Sequence, residues 1–118
     1  MNKATDLTWS ITSKNDKIAF GLKGELTRNT LLPLWRQRSS LFARIREGEQ
    51  DVYCDLSALS GLDSAGFALF CDILAECRSR LAPQYKLQLE NIPSQLLTLA
   101  ELYDLKDWLQ AFIKEGHI

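Results

Sequence analysis

The sequence predicts an α/β domain in which helices pack on one face of a mixed, four-stranded sheet. Two observations lead to this fold class. Four short segments alternate apolar and polar residues with period two, as half-buried strands do. Longer segments between them repeat apolar residues at helical spacing. The predicted order is β-β-α-β-α-β-α with a short final helix, and a chain of 118 residues has room for one core, so residues 1–118 are predicted to form a single domain.

The four predicted strands each present an apolar face. Those faces are Leu7, Trp9 and Ile11; Ile18, Phe20 and Leu22; Val52, Cys54 and Leu56; and Tyr85, Leu87 and Leu89. A turn pair, Asn15-Asp16, separates the first two strands and predicts a hairpin. The connection from the third strand through a helix to the fourth is expected to be right-handed.

The predicted helices run from about Asn29 to Arg46, from about Ser64 to Leu81, from Pro93-Ser94 onward, and from Asp107 to Lys114. Proline is tolerated only in the first turn of a helix, so Pro33 places the start of the first helix between Asn29 and Leu32. Pro83 ends the second helix for the same reason.

Composition and charge exclude several classes of protein. The chain is 46% hydrophobic and 25% charged, with a net charge of -1, which is typical of a globular domain and argues against disorder. The charge balance gives no indication of nucleic acid or an anionic membrane as a direct partner. No apolar run approaches the roughly 20 residues of a membrane-spanning helix. The first ten residues lack an apolar signal core, which argues against export.

The cysteines and the histidine argue against a disulfide scaffold and a metal site. Cys54, Cys71 and Cys77 make an odd count without a CxxC pair, which favours reduced thiols in a cytoplasmic core. The single histidine, His117, lies next to the C-terminus, where a zinc site or a catalytic triad has little support. Asp55 and Asp63 have no histidine near them in sequence, and the chain contains no phosphate loop of the form GxxxxGK[ST]. The sequence therefore predicts a protein that is not an enzyme and has no cofactor.

The most informative segment leaves the third strand and enters the second predicted helix, from Asp55 to Gly66. Asp63 and Ser64 are placed to cap the first N–H groups of that helix, a contribution of about 1 kcal/mol. Gly66 has no side chain, so it leaves the first turn open to close approach by another surface. The residues alone leave two interpretations open: a capped helix start with no further role, or a contact site.

These residues resemble the motif of the STAS domain, the family of anti-sigma-factor antagonists and transporter-associated proteins. The family motif has a strand ending in Asp and then Asp-Ser/Thr-x-Gly at the start of the next helix. Asp55 and the run Asp63, Ser64, Ala65 and Gly66 match it position for position. The resemblance covers nearly the whole chain and implies the STAS, or SpoIIAA-like, fold.

Two further segments are similar to the transporter-associated branch of the family: Gly24-Glu25-Leu26 followed by Leu31-Leu32-Pro33-Leu34-Trp35, and Leu99-Ala100-Glu101-Leu102-Tyr103. This resemblance implies a cytoplasmic, non-catalytic subunit of an ABC transporter that moves phospholipids between the membranes of Gram-negative bacteria and maintains outer-membrane lipid asymmetry. It implies binding to the ATPase subunit and, through it, association with the permease and a substrate-binding subunit at the inner membrane. The alternative is an anti-sigma-factor antagonist that is switched by phosphorylation of Ser64.

A candidate partner surface follows from charge and spacing. Arg38 falls within the apolar stripe of the first predicted helix, where it must reach an edge, pair with a carboxylate or face a partner. Because Arg38 is hard to bury, Trp35 one turn away is expected to contact a partner and not to fill the core. On the second helix, Ala65, Leu69 and Ile73 form an apolar patch off the main stripe. The predicted partner-binding residues are Trp35, Arg38, Asp63, Ser64, Ala65, Gly66, Leu69 and Ile73.

Overall fold

The computed structural model describes residues 6–48 and 50–114; His117 and the end of the chain after Lys114 lie outside these ranges. The strands are β1 (Leu7–Lys14), β2 (Lys17–Leu26), β3 (Asp51–Asp55), β4 (Leu59–Leu62) and β5 (Leu87–Glu90). The helices are α1 (Leu31–Arg36), α2 (Arg38–Gly48), α3 (Ser64–Arg80), α4 (Ser94–Leu102) and α5 (Lys106–Lys114). The predicted α/β class is confirmed.

The described strands form one mixed sheet in the order β1-β2-β3-β5, with β4 also paired to β2. β1 and β2 are antiparallel, with Leu7 opposite Gly24 and Lys14 opposite Lys17. The turn between them places Asn15 and Asp16 at φ 54° and 62°, a conformation that hairpin turns require and that Asn and Asp tolerate. The predicted hairpin is therefore confirmed. The remaining pairs, β2 with β3, β2 with β4 and β3 with β5, are parallel.

The prediction of four strands was wrong, because β4 is a fifth. Leu59 and Leu62 are buried and point inward, but two residues, Ser60 and Gly61, separate them. The segment therefore lacks the alternation that identifies a strand in sequence. β4 pairs in parallel with the end of β2 after an irregularity between Gly24 and Glu25. β3 pairs with the first half of β2, and β4 pairs with its last residues. α3 begins two residues after β4 ends.

The first predicted helix is divided in two. α1 ends at Arg36, Gln37 adopts φ −96° and ψ 4°, and α2 begins at Arg38. Pro33 lies in the first turn of α1, where the sequence placed it. The break at Gln37 lies between Trp35 and Arg38, so one continuous helix does not span this pair.

The helices cover one face of the sheet. Alternate residues of the central strands are buried, among them Phe20, Val52 and Leu87, while their neighbours Ala19 and Lys17 are exposed. The thiols of Cys54 and Cys77 are buried and unpaired, and burial raises the pKa of Cys77 to about 12. Both cysteines are therefore neutral, apolar members of the core. Within the described ranges, no helix combines the length and apolar character needed to cross a bilayer.

A close backbone contact fixes the start of α3 against the end of β2. A Cβ atom added to Gly66 would lie 1.9 Å from the carbonyl oxygen of Leu26 and 2.6 Å from its carbonyl carbon. Gly66 is buried, so the surface that approaches this turn belongs to the chain itself. The expectation that Gly66 leaves the turn open to a partner was wrong.

Replacing Gly66 by alanine is expected to destabilise the domain by about 1–3 kcal/mol, the range of overpacked cores, because the methyl group collides with rigid backbone. Helix propensity alone would change stability in the opposite direction, by about 1 kcal/mol. Gly61→Ala is the control, since its Cβ meets only the flexible side chain of Glu25, with Cγ at 3.1 Å. Urea unfolding of the three proteins measures the difference. A Gly66→Ala protein as stable as the wild type would contradict the contact.

Candidate partner-binding surface

Asp63 joins the start of α3 to the loop before α1. Its Oδ1 accepts a hydrogen bond of 2.8 Å from the backbone N–H of Gly66, and its Oδ2 accepts one of 3.0 Å from the backbone N–H of Arg28. Partial desolvation raises the pKa of this carboxyl, but backbone hydrogen bonds from Arg28, Gly66 and Ala65 and the charge of Arg28 outweigh it, and the net pKa is lowered. Asp63 therefore shapes the surface through contacts within the chain.

Ser64 is free to make contacts outside the chain. Asp63 occupies the N-cap position of α3, so the Ser64 hydroxyl is not needed for capping. Ser64 is exposed. Its neighbour Ala65 is half-buried, and both residues line a groove that Tyr103 borders.

The exposed face of α3 differs from the predicted patch. Leu69 and Ile73 are only 5% and 4% exposed, so their assignment to a surface patch was wrong. The physical reason is that α3 has helical neighbours on both flanks, α1 and α2 on one side and α4 on the other, which bury a wider arc than a single stripe. The exposed residues of α3 are Ser64, Ala68, Asp72, Ala75, Ser79 and Arg80, and the first five form what we call the α3 ridge. Their spacing of three or four positions and their small size were the sequence signal for this ridge.

On one side of the ridge lies the Trp35 groove, a cavity of about 580 Å³ between α2 and α3. Trp35 is 39% exposed. The guanidinium carbon of Arg38 lies 3.6 Å from the centroid of its ring, and Arg38 Nη1 donates a hydrogen bond of 2.6 Å to the carbonyl of Trp35. The opposite wall holds an ion pair of 2.7 Å between Arg80 and Glu76. Trp35 and Arg38 thus lie together at the surface and not in the core.

On the other side lies the Tyr103 groove, a cavity of about 490 Å³. Its lining residues are Ser64, Ala65, Phe67, Ala68, Cys71, Asp72, Tyr103 and Leu105. The ring of Tyr103 stacks on Phe67 with 5.9 Å between centroids and is 49% exposed, and its neighbour Leu102 is 70% exposed. Tyr103 was not among the predicted partner-binding residues, although its ring borders the site.

The family model for the MlaB STAS domain matches residues 9–113. The chain belongs to the MlaB STAS-domain family. Two curated relatives are similar over almost their whole length. The MlaB binding protein of the intermembrane phospholipid transport system of Haemophilus influenzae is 44% identical over 107 residues, which are 91% of this chain and 99% of the relative. That of Escherichia coli is 32% identical over 100 residues, 84% and 89% of the two chains.

Solved structures confirm the predicted STAS, or SpoIIAA-like, fold. The unphosphorylated anti-sigma factor antagonist SpoIIAA aligns with a TM-score of 0.57 and 18% identity, covering 86% of this chain and 84% of that one. SpoIIAA of Bacillus in its phosphorylated form aligns with a TM-score of 0.54 and 17% identity, covering 86% and 87%. At such identities the likeness concerns the fold alone. The MlaB family match, in contrast, includes every residue of the α3 ridge and both grooves.

We expect the Asp63 carboxylate to make this MlaB-family domain sensitive to acid. Its pKa is lowered in the folded protein from an ordinary value of 3.8, so the stabilisation is fully present above that value and is lost as the pH falls through the folded pKa. Asp63→Asn can still cap α3 but cannot titrate. We expect the unfolding free energy of the variant to fall less steeply than that of the wild type below pH 4 or so. Urea unfolding from pH 3 to pH 7 measures both slopes.

Asp55 provides the control for this measurement. A hydrogen bond from Asn91, with others from Ser57, lowers the pKa of Asp55, so the Asp63→Asn protein keeps part of the acid sensitivity. In the double variant Asp55→Asn, Asp63→Asn, the unfolding free energy should depend on pH even less. Identical slopes in the wild type and the Asp63→Asn variant would contradict the role assigned to the Asp63 carboxylate.

Proposed function

We propose that this chain is a non-catalytic subunit of an intermembrane phospholipid transport system and that it binds the ATPase subunit through the α3 ridge. The observation on which this rests is a ridge of small exposed residues flanked by two grooves, each bordered by an exposed aromatic ring. The names of the relatives in Haemophilus influenzae and Escherichia coli, binding proteins of such a system, support the assignment.

The chemistry of the surface suits a protein partner. Ser64, Ala68 and Ala75 are exposed and small, so the backbone of another chain can approach α3 closely. Trp35 and Tyr103 supply large rings at its borders, and tryptophan, tyrosine and arginine are the residue types enriched where binding energy is concentrated. Neither groove is enclosed by the described residues in the way a small-molecule site usually is.

The proposed assembly defines the place of the chain in the cell. Binding to the ATPase would hold the subunit at the cytoplasmic side of the inner membrane, and the permease and the substrate-binding subunit would be reached through the ATPase. In such a complex the chain would contribute to maintaining outer-membrane lipid asymmetry without performing catalysis. Its role would be to support the folding, assembly or activity of the ATPase subunit.

The anti-sigma-factor antagonist hypothesis remains as the alternative because the Ser64 hydroxyl is exposed at the helix start. A phosphate there would add about −1.5 to −2 charge to the surface, which the helix N-terminus tolerates and a docked partner does not. The relatives at 44% and 32% identity favour the transport hypothesis. The SpoIIAA structures, at 18% and 17% identity, bear on the fold only.

Ser64→Glu and Ser64→Tyr are expected to weaken binding of the purified ATPase subunit by at least about tenfold while the melting temperature changes little. The reason is that the new group projects from an exposed position into the partner. Ser10→Glu is the matched control, because Ser10 is exposed on β1, on the sheet face that the helices leave open. Surface plasmon resonance with the ATPase subunit measures the affinities. Normal binding by both Ser64 variants would exclude the α3 ridge as the interface.

Trp35→Ala should leave the isolated domain nearly as stable as the wild type and weaken the complex by about 2 kcal/mol or more, the scale of an interface hot spot. Leu34→Ala, one residue earlier, removes a fully buried side chain and should cost about 2–5 kcal/mol of folding stability. Melting temperatures and ATPase affinities of the two variants distinguish a residue that contacts the partner from one that packs in the core. A Trp35→Ala protein that loses stability but binds normally would show that Trp35 packs in the core and does not contact the ATPase subunit.

A further inference from the structure

The charges in the Trp35 groove are only partly matched within the chain. Glu76 and Arg80 pair with one another on the α3 wall. Arg38 is half-buried, and in the described ranges its contacts are with the ring and carbonyl of Trp35 and not with a carboxylate. Asp72 is exposed on the ridge between the two grooves. One cation and one anion of the groove therefore have no opposite charge within these ranges.

Two contacts with Trp35 orient the Arg38 side chain. Its guanidinium stacks at 3.6 Å on the Trp35 ring, and one nitrogen donates to the Trp35 carbonyl. The remaining N–H groups stay available, and a planar guanidinium is a good match for a carboxylate because it can donate two parallel hydrogen bonds. Fixing the side chain before binding reduces the conformational entropy that a partner must overcome.

The floor of the groove is apolar. Phe42 lies there with the guanidinium of Arg80 5.4 Å from its ring centroid, and Ile73 lines the same cavity. Phe42 and Ile73 are only 6% and 4% exposed, so together with the exposed Ala75 they contribute a narrow apolar strip to the groove that holds the unmatched cation and the unmatched anion. An occupant that matches all three features has a carboxylate, an apolar side chain and a cationic group.

We propose that the Trp35 groove binds a segment of the ATPase subunit that carries a carboxylate to pair with Arg38, a small apolar side chain against Ala75 and the exposed edge of Phe42, and a basic side chain to pair with Asp72. This rests on the proposed function and identifies the chemistry of the partner. The carboxylate accepts two parallel hydrogen bonds from the Arg38 guanidinium, and the Trp35 ring shields this ion pair from water. A simple phosphate or lipid headgroup matches Arg38 but is repelled by Asp72.

Arg38→Gln and Arg38→Lys test the Arg38 half of the proposal in the complete chain. Arg38→Gln should weaken binding of the purified ATPase subunit by at least about tenfold and should reduce the dependence of affinity on salt. Arg38→Lys should fall between this variant and the wild type, because it keeps the charge but loses the fork and the stacking. Arg36→Gln is the control, since Arg36 is exposed on α1 and does not line the groove. Wild-type affinity and salt dependence in Arg38→Gln would overturn the proposal.

Asp72→Asn tests the other half, and a photo-crosslinking residue at Ser39, which lines the groove, identifies the occupant. Asp72→Asn should weaken binding and, like Arg38→Gln, leave the melting temperature almost unchanged. The crosslinked ATPase peptide should contain an acidic and a basic residue. A peptide without an acidic residue, or crosslinks only between two copies of this chain, would overturn the proposal.

Anionic vesicles distinguish a lipid from a protein occupant. Cosedimentation of the wild-type chain with phosphatidylglycerol vesicles that is lost in Arg38→Gln would assign the groove to a phosphate headgroup and overturn the proposal. The failure of the proposed function has a different result: the wild-type chain itself would not bind the ATPase subunit. If the wild type binds and the Arg38 and Asp72 variants bind equally well, only the inference about this groove fails.

Discussion

The contact between the first turn of α3 and the end of β2 determines most of the surface. Gly66 permits the helix to approach the Leu26 carbonyl to a distance that any side chain would prevent. Asp63 holds the same junction from both sides, because it accepts hydrogen bonds from Gly66 in the helix and from Arg28 in the loop before α1. Together these interactions set the position of α1 relative to α3, and with it the position of Trp35 relative to Ser64.

The residues of the motif therefore divide into two kinds. Asp63 and Gly66 build the junction by contacts within the chain, and Ser64 is displayed by it. Ser64 starts a ridge that continues through Ala68, Asp72 and Ala75. The small residues on the ridge allow close approach to α3, and the aromatic rings of Trp35 and Tyr103 border the grooves on either side. This arrangement suits a protein segment that lies along α3 and reaches into the grooves.

The class of the fold and the approximate bounds of its helices could be predicted because they depend on local patterns: alternation in β2 and β3, and proline at the helix ends. β4 could not, because Leu59 and Leu62 lack the alternation of a strand and are paired only by tertiary contact with β2. Leu69 and Ile73 were wrongly assigned to the surface because neighbouring helices bury more of α3 than its main apolar stripe. The spacing of residues within α3 does not show where those neighbours lie. Trp35 and Arg38 were placed at the surface correctly, because an arginine beside an aromatic ring is hard to bury.

Hydrogen–deuterium exchange of the chain with and without the purified ATPase subunit tests the central claim most directly, since it examines every segment of one unmodified protein. We expect slower exchange in peptides from the first turns of α3 and from the junction of α1 and α2 when the ATPase is bound. We expect no change in β1, which lies at the far edge of the sheet. Protection of β1 or of the open sheet face, with α3 unchanged, would contradict the claim.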